Sequence, residues 1–426
     1  MKHVLFYSLV LNRLDRSSAT MRYFIYTAMT GMVFSMVQFG EVIARKSLGA
    51  SGLQITLLTM SMPVAAITSL WWGRLIEGRQ QKYILIFVGA AGYLIMSTGA
   101  FLNDINHMIS MHLIFFLAFA LFGPAENRIL QQHVAPDKAG KTFGNASGYR
   151  MAVSALVAAG TGYWLNHVEG GYRNIYPIVA LIGFVGLGIF ATIPIKSNKK
   201  LKPVPINFGL ILGPVKDVII LLKRRPDYLR FELAFMLYGM AFMMTLPVVP
   251  LFLVDDLGLD YATIGIARGT IPQVVMILAI PLLGRVFDRT TPHKMAAAVF
   301  PLLALYPAVL LMTPSLEGWH QRVALYFAFG LFGAAMSGVM VLWNVASLRF
   351  SGKEDAGVYQ SVHIAFTGFR GMFAPLLGLG SMHLLGKTTA LMISASLFIL
   401  AGVMMVVVRK IDYRRGEATD LGVGNN

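Results

Sequence analysis

The chain contains no cysteine among its 426 residues. It therefore forms no disulfide, offers no thiolate to a metal ion and has no cysteine nucleophile. The sequence also lacks the nucleotide-binding pattern Gly-x-x-x-x-Gly-Lys-Ser/Thr, the zinc-protease pattern His-Glu-x-x-His and the hydrolase pattern Gly-x-Ser-x-Gly. These absences argue against ATP-driven pumping by this chain and against an enzyme, and we expect neither a cofactor nor a bound metal.

Charged residues are scarce as well. They make up 13% of the chain, whereas hydrophobic residues make up 56% and the mean hydropathy is +0.65. A soluble globular protein carries about 25% charged residues, so this chain has too little polar surface to face water on all sides. The composition predicts an all-α integral membrane protein, whose net charge of +16 reflects membrane topology rather than nucleic-acid binding.

Long apolar runs dominate the sequence. A helix that crosses a bilayer needs about 20 mostly apolar residues, and twelve such runs occur in two groups of six. They predict a cytoplasmic segment at 1–21, a six-helix bundle at 22–194, a linker at 195–229, a second six-helix bundle at 230–408 and a tail at 409–426. The predicted spans 1 to 12 are 22–44, 53–73, 83–102, 108–131, 143–165, 174–194, 230–254, 262–283, 295–313, 322–346, 358–382 and 387–408.

Basic residues are distributed unequally between the two sides. If the N-terminus is cytoplasmic, the cytoplasmic segments collect about 27 of the 36 lysines and arginines, which predicts that both termini are cytoplasmic. Val4–Leu11 has the length of a signal-peptide core, but the polar run Asn12–Arg16 follows it, so we predict a retained amphipathic helix. Within the linker, Asn207–Leu222 is predicted to lie along the inner membrane surface.

Several short motifs occur once in each half. The basic loop Gly284–Arg289 between spans 8 and 9 has a near-copy at Gly73–Arg79 between spans 2 and 3. Gly148-Tyr149-Arg150 in span 5 matches Gly368-Phe369-Arg370 in span 11, and Asn127 matches Asn344. Because each half has six spans, the copies run parallel, as in transporters that rock one half against the other around a central site.

With twelve predicted spans, a basic linker and a duplicated loop, the chain resembles the major facilitator superfamily over nearly its whole length. The loop of that family reads Gly, three residues, Asp, Arg, then glycine and basic residues. The second copy follows it through Gly284, Asp288 and Arg289. The first copy departs from it, because Glu77 replaces the aspartate and Gly78 stands where arginine is usual, with Arg79 one position later.

The resemblance implies a major facilitator fold with a cavity lined by spans 1, 4, 7 and 10. It also implies a cytoplasmic gate, in which Glu77 latches span 11 and Asp288 latches the N-terminal end of span 5, where the helix dipole is positive. Such latches exist only while the cytoplasmic side is closed. The gate residues are Gly73, Glu77, Arg79, Gly284, Asp288 and Arg289.

Ionisable residues inside the spans are candidates for function, because charge at membrane depth is costly. Glu126 in span 4 and Arg150 in span 5 lie about 10 Å from the same membrane surface and can pair. The pair is either a static bridge between two helices or a proton-coupling site, in which Glu126 is protonated in one state and bound to arginine in another.

The second half breaks this symmetry. Arg370 matches Arg150, but Trp343 stands where Glu126 would be matched. Helix carbonyls, Asn344 or a substrate anion could satisfy Arg370, since a guanidinium suits carboxylate or phosphate. His363, near the start of span 11, is interpreted as a structural residue rather than a proton relay.

Polar residues near the outer end of span 1 allow two interpretations. Glu41 is expected to pair with Arg45 one turn away, although Gln38 and Glu41 would face the cavity if span 1 is suitably rotated. Arg268 in span 8 is expected to pair with Asp255 or Asp256.

Together these features predict a proton-coupled secondary transporter of a small organic solute in a bacterial cytoplasmic membrane, acting as a monomer. Arginines outnumber carboxylates inside the spans, which slightly favours an anionic or zwitterionic substrate. Span 5 lacks the Gly-Pro motif of drug–proton antiporters, and Ala374-Pro375 lies in span 11 instead. A drug–proton antiporter remains the alternative, and a non-transporting receptor or scaffold on the same fold is a third hypothesis.

Overall fold

The computed structural model describes residues 2–75, 79–134, 136–194, 208–352, 354 and 356–415, and contains no β-strand among them. The helices of the first half are α1 (Lys2–Lys46), α2 (Gly52–Ile67), α3 (Ser69–Leu75), α4 (Gln81–Ser97), α5 (Ile105–Phe119), α6 (Phe122–His133), α7 (Pro136–His167) and α8 (Tyr172–Ala191). The linker helix is α9 (Phe208–Arg224). The second half comprises α10 (Pro226–Leu251), α11 (Tyr261–Ile264), α12 (Ile271–Asp288), α13 (Pro292–Leu310), α14 (Gly318–Ser351), α15 (Ala356–Leu385) and α16 (Lys387–Arg414).

The prediction of an all-α membrane fold is confirmed. Ten helices in the described part of the chain are long and apolar enough to cross a membrane. Helices suit this setting because each satisfies its own backbone hydrogen bonds where water is absent. The pair α5–α6 and the long helix α7 occupy the predicted spans 4 and 5, so the count of twelve spans stays a prediction.

The start of the first bundle and the linker differ in detail from the predicted boundaries. Helix α1 begins at Lys2 and runs without interruption to Lys46, so the helix of the first span extends into the predicted segment at 1–21. The boundary of that segment stays a prediction. Helix α9 occupies the place of the amphipathic helix predicted at Asn207–Leu222. Residues 195–207 of the predicted linker and the tail from 416 onward lie outside the described residues.

Two helices of the second half contain π-helical turns. Helix α10 continues into the π-turn Phe252–Asp256, and α11 is joined to α12 by the π-turn Gly265–Thr270. A π-turn adds a residue to the helical repeat and so changes the direction in which the following side chains point. These two turns carry Asp255 and Arg268, which both take part in contacts between the halves.

The two ends of the bundle are named here by what they carry. The linker face holds α9 and the starts of α10, α13 and α15, and the opposite face holds the ends of α1 and α7 and the starts of α11 and α16. By the distribution of basic residues, the linker face is the predicted cytoplasmic side.

The halves pack together at the opposite face. The buried apolar cluster of the first half continues into the second through residues near that face, among them Val248, Ile264, Tyr306 and Phe329. The second half has its own buried cluster towards the linker face, which includes Phe231. The two halves therefore share one core near the opposite face and have separate cores near the linker face. This packing indicates that the opposite face is closed.

Glycine allows close crossings between the halves. A Cβ at Gly162 of α7 would lie 2.6 Å from the carbonyl oxygen of Tyr261, and a Cβ at Gly265 would lie 2.7 Å from the carbonyl oxygen of Ala158. Small residues let helix backbones approach this closely inside a membrane. In the second crossing, between α2 and α15, Gly371 packs directly against Pro63.

Candidate functional site

A buried carboxylate lies between three helices of the first half. Glu126 of α6 is 9% exposed, and its Oε2 atom accepts hydrogen bonds from the Tyr23 hydroxyl of α1 and from the Arg150 guanidinium of α7, each at 3.3 Å. The expected pairing of Glu126 with Arg150 is therefore present, and Tyr23 is a third member that the sequence did not identify. The side chain of Asn127, the next residue, lies outside the described part of the chain.

Arg370, which matches Arg150 in the repeat, is only 4% exposed. Its guanidinium donates to the carbonyl oxygen of Phe235 at 3.2 Å and to the Thr367 hydroxyl at 3.1 Å, and it lies over the rings of Phe235 and Tyr238. Of the partners considered for Arg370, a helix carbonyl of α10 is thus the one found. Asn344 instead donates to the carbonyl oxygen of Met340 in its own helix at 2.7 Å.

A second buried carboxylate, Glu232 of α10, was not identified from the sequence. Glu232 is 1% exposed, and both of its oxygens lie within hydrogen-bond distance of Nδ1 of His363, at 2.9 and 3.0 Å. His363 is 2% exposed and lies two turns before Arg370 on α15. A signal was available, because Glu232 is the acidic residue inside the apolar run of predicted span 7, and such residues are functional candidates by default.

The opposite face is closed by charged contacts that differ from the expected ones. Glu41 of α1 forms an ion pair with Arg268, not with Arg45. Arg45 instead pairs with Asp255 at 2.7 Å, and Lys387 pairs with Asp256 at 2.9 Å. Both expectations, Glu41 with Arg45 and Arg268 with Asp255 or Asp256, are therefore wrong. The reason is that α1 crosses the second half here, so each charge finds a nearer partner across the crossing.

Further polar contacts join the halves around Tyr261, the first residue of α11. The Tyr261 amide donates to the Asn166 side chain at 2.9 Å, and its hydroxyl lies 2.6 Å from the Ser47 hydroxyl. Asp260 caps α11 by accepting from the Thr263 amide at 2.6 Å. Burial raises the pKa of Asp260, but hydrogen bonds from Thr263 and Asn166 outweigh it and hold that pKa below its ordinary value of 3.8.

Gln38 and Glu41 do not share one environment. The side chain of Gln38 is exposed although its neighbours Val37 and Phe39 are buried, and whether it faces the cavity stays a prediction. Glu41, one turn further along α1, is enclosed in the ion pair with Arg268. The structure therefore places Gln38 beside open space and Glu41 in the closure of the opposite face.

The structure describes the predicted gate residues at the linker face only in part. Asp288 ends α12, and its carbonyl oxygen accepts from Arg349 at 3.3 Å, while no described residue of α7 forms an ion pair with its carboxylate. Arg289 is the C-cap of α12, and a Cβ at Gly284 would meet no described atom within 4 Å. The predicted latch of Asp288 to the N-terminal end of α7 stays a prediction, because the side chains of residues 136–140 lie outside the described part of the chain.

The first copy of the loop contacts the linker. Arg74, which follows Gly73 in α3, forms an ion pair with Asp217 of α9 and packs against Gly213. The Arg79 guanidinium donates to the carbonyl oxygen of Leu75. Glu77 lies outside the described residues, so its predicted latch to α15 stays a prediction. Among the described histidines, aspartates and glutamates, no group of three is placed to hold a metal ion.

Comparisons with known proteins agree with this architecture. The family model described as Major Facilitator Superfamily matches residues 231–422. The curated relatives include Multidrug resistance protein MdtG of Escherichia fergusonii, which is 23% identical over 361 residues that cover 82% of this chain and 84% of the relative. The MdtG protein of Dickeya zeae is 21% identical over 384 residues, which cover 87% of this chain and 89% of that protein.

Solved structures share the fold at low sequence identity. The nucleoside transporter NupG superimposes with a TM-score of 0.71 at 15% identity, covering 92% of this chain and 99% of that chain. A bacterial homologue of the human drug peptide transporters PepT1 and PepT2 superimposes with a TM-score of 0.70 at 10% identity, covering 94% and 99%. Together with the duplicated loop and the two helical halves, these findings support a multi-pass membrane transporter similar to the major facilitator superfamily.

Proposed function

We propose that this protein is a proton-coupled secondary transporter that exports small, largely apolar organic compounds by alternating access. The observation that supports the proposal most is the buried Glu126, bound at once to Tyr23 of α1 and Arg150 of α7. Its coupling role requires a carboxylate whose protonation changes contacts between helices. On this proposal the linker face is cytoplasmic and the protein acts as a monomer in a bacterial cytoplasmic membrane.

Proton binding at Glu126 would change the first half in a defined way. The ionised carboxylate holds Arg150, whose side chain is 30% exposed, and a proton on Glu126 removes the charge that holds it. A buried ion pair that loses one charge leaves the other charge uncompensated, which is strongly unfavourable. The first half would then favour another arrangement of α1, α6 and α7, and this preference would link proton binding to the change of access.

The closed opposite face supports alternating access. Glu41 with Arg268 and Arg45 with Asp255 join the halves on that side, and the glycine crossing of Gly162 with Tyr261 lies beside them. Opening the opposite face requires these contacts to break, while the latch of Asp288 would form at the linker face. Two mutually exclusive sets of contacts are what a protein needs to switch between two states.

The proposed substrate class rests on the contacts that the arginines inside the bundle already make. Arg268 is bound to Glu41, and Arg370 is buried and bound to α10, so neither is placed to bind an anion. The methionines of α10, including the buried Met243 and Met244, offer an adaptable apolar surface. The relatives are named multidrug resistance proteins. These features favour apolar compounds over the anionic substrate suggested by the count of arginines.

An anionic or zwitterionic substrate is the second candidate, and Arg150 favours it. Its guanidinium is partly exposed, and its buried Nε atom has no hydrogen-bond partner among the described residues. Arginine binds carboxylates through two parallel hydrogen bonds. A carboxylate-bearing substrate could therefore compete with Glu126 for Arg150.

The test is transport by the purified protein in liposomes. We expect ethidium to move against its gradient when a pH gradient is imposed, and Glu126→Gln to abolish this response. Glu169→Gln, which removes an exposed acid near the opposite face, serves as the control and should transport normally. Ethidium transport by Glu126→Gln that responds to pH as the unaltered protein does would contradict the coupling role.

A further inference from the structure

The two halves contain related but unequal polar clusters. Tyr23 and Arg150 flank Glu126 in the first half, and Tyr228 and Arg370 occupy the equivalent places in the second. The tyrosine and the arginine are therefore repeated, whereas the carboxylate is not, because Trp343 stands in its place on α14.

The second half carries its acid on a different helix. Glu232 lies one turn after Tyr228 on α10, where the first half has Thr27 one turn after Tyr23. His363 stands where the first half has Phe143. The second half thus has no carboxylate at this position of α14, and has instead a carboxylate and an imidazole that contact each other.

The depth of this pair matches that of Glu126. Glu232 lies six residues after Pro226 at the start of α10, which places it about 9 Å from the linker end of that helix. Glu126 lies seven residues before His133 at the end of α6, which gives about 10 Å from the same face. Both carboxylates are therefore within similar reach of protons that enter from the linker face.

The charges around the pair balance only in one protonation state. Arg370 forms no ion pair with Glu232 but lies within its electrostatic influence, so an ionised Glu232 offsets the charge of Arg370. His363 then donates its Nδ1 proton to the carboxylate. The other ring nitrogen of His363, Nε2, is buried and has no hydrogen-bond partner among the described residues. This nitrogen is free to accept one further proton.

Apart from Arg370, the described neighbours of the pair carry no charge. The Tyr228 hydroxyl donates to the carbonyl oxygen of Tyr359 at 2.8 Å, and Phe235 and Trp343 pack edge-on against the imidazole. The titratable groups that face the pair are thus Tyr228 on α10 and Arg370 on α15. From the first half, α2 contributes the apolar residues Pro63 and Ile67 against the glycines of α15.

We propose that Glu232 and His363 form a second proton-binding site, so that the protein carries two protons in each transport cycle. The ligand is a proton that enters from the linker face and binds the imidazole, which becomes an imidazolium beside the carboxylate. The cluster of Glu232, His363 and Arg370 then changes from neutral to singly positive, and a buried charge without a counter-charge is unfavourable, so this arrangement of the second half becomes less stable. The inference rests on the proposed proton-coupled function, but the site itself can be tested without transport.

Histidine NMR on the full chain in lipid nanodiscs tests the site directly. The nine histidines are labelled with ¹⁵N, and the signal of His363 is assigned by its loss in His363→Gln. We expect this ring to change from neutral to charged between about pH 8 and pH 5, and to stay neutral over that range in Glu232→Gln. His112 is the matched control, because it is equally buried but bonds the Tyr176 hydroxyl instead of an acid, and should stay neutral.

Proton counting in liposomes tests the consequence. With ethidium as the transported probe, we expect a ratio of two protons per ethidium that falls to one in Glu232→Gln and in His363→Gln. The inference is overturned if His363 keeps one charge state between about pH 8 and pH 5, or titrates identically in Glu232→Gln. It is also overturned if the ratio is one and is unchanged in both variants. If the unaltered protein moves no protons with ethidium, the proposed function fails, and the NMR titration still decides whether the site binds a proton.

Discussion

The Nδ1 atom of His363 lies 2.9 Å from one oxygen of Glu232 and 3.0 Å from the other. This contact joins α15 to α10 at a depth where neither side chain reaches water, since both are at most 2% exposed. Each residue is therefore the main polar partner of the other. The removal of either one leaves a buried polar group unpaired, which costs about 1–3 kcal/mol.

This dependence predicts a strongly non-additive pair. We expect Glu232→Ala and His363→Ala each to destabilise the protein, and the double variant to be more stable than the sum of the two losses predicts, by about 0.5–3 kcal/mol. Unfolding of the detergent-solubilised variants measures the three free-energy changes. Glu317→Ala with His320→Ala is the control pair, because both side chains are exposed at the start of α14 and should behave additively. Additive losses at Glu232 and His363 would contradict the buried contact.

The sequence predicted features that depend on one helix or one repeat. The all-helical membrane fold follows from composition and run length, and the pairing of Glu126 with Arg150 follows from equal depth on two spans joined by a short loop. Helix α9 was likewise expected, because a mostly apolar stretch with a few charged residues follows the first bundle in the linker. These features need no knowledge of how the two halves pack.

Contacts between the halves could not be predicted in the same way. The pairing of Glu41 with Arg268 depends on α1 crossing the second half and on the π-turn that carries Arg268. Local spacing in the sequence predicts neither of these features. It predicts only partners on the same helix, such as Arg45 one turn after Glu41. Glu232 was not predicted for another reason. The repeat predicts a carboxylate on α14 as the counterpart of Glu126, and Trp343 stands at that position.

The ion pair between Glu41 and Arg268 should stabilise closure of the opposite face. We expect Arg268→Gln to raise the population with an open opposite face at least tenfold, which corresponds to about 1.4 kcal/mol, because a buried carboxylate loses its partner. The chain has no cysteine, so Asn106→Cys and His320→Cys can carry spin labels, and their distance reports opening. Arg45→Gln should have a smaller effect, since its pair with Asp255 is partly exposed. Equal distance distributions in the Arg268→Gln and unaltered proteins would rule out the closing role.

The crossing of α7 with α11 offers a test that changes no charge. A Cβ at Gly162 would lie 2.6 Å from the carbonyl oxygen of Tyr261, whereas a Cβ at Gly160, on the same helix, would meet no described atom within 4 Å. We therefore expect Gly162→Ala to destabilise the closed opposite face by about 1–3 kcal/mol, and Gly160→Ala to leave it unchanged. The same spin-label pair measures both variants. A similar response to both substitutions would mean that close backbone approach at Gly162 is unimportant for closure.

The predicted latch at Asp288 should act in the opposite direction. An acid at a helix N-terminus contributes about 0.3–1 kcal/mol, so Asp288→Asn should lower the population with a closed linker face by roughly two- to fivefold. Spin labels at Tyr83→Cys and Tyr413→Cys, exposed residues near the linker ends of α4 and α16, measure this population. Asp288→Glu keeps the charge and should behave as the unaltered protein does. Because Arg268→Gln releases the opposite face and Asp288→Asn releases the linker face, the two variants should shift the balance of states in opposite directions. A shift in the same direction would show that Asp288 does not latch the linker face.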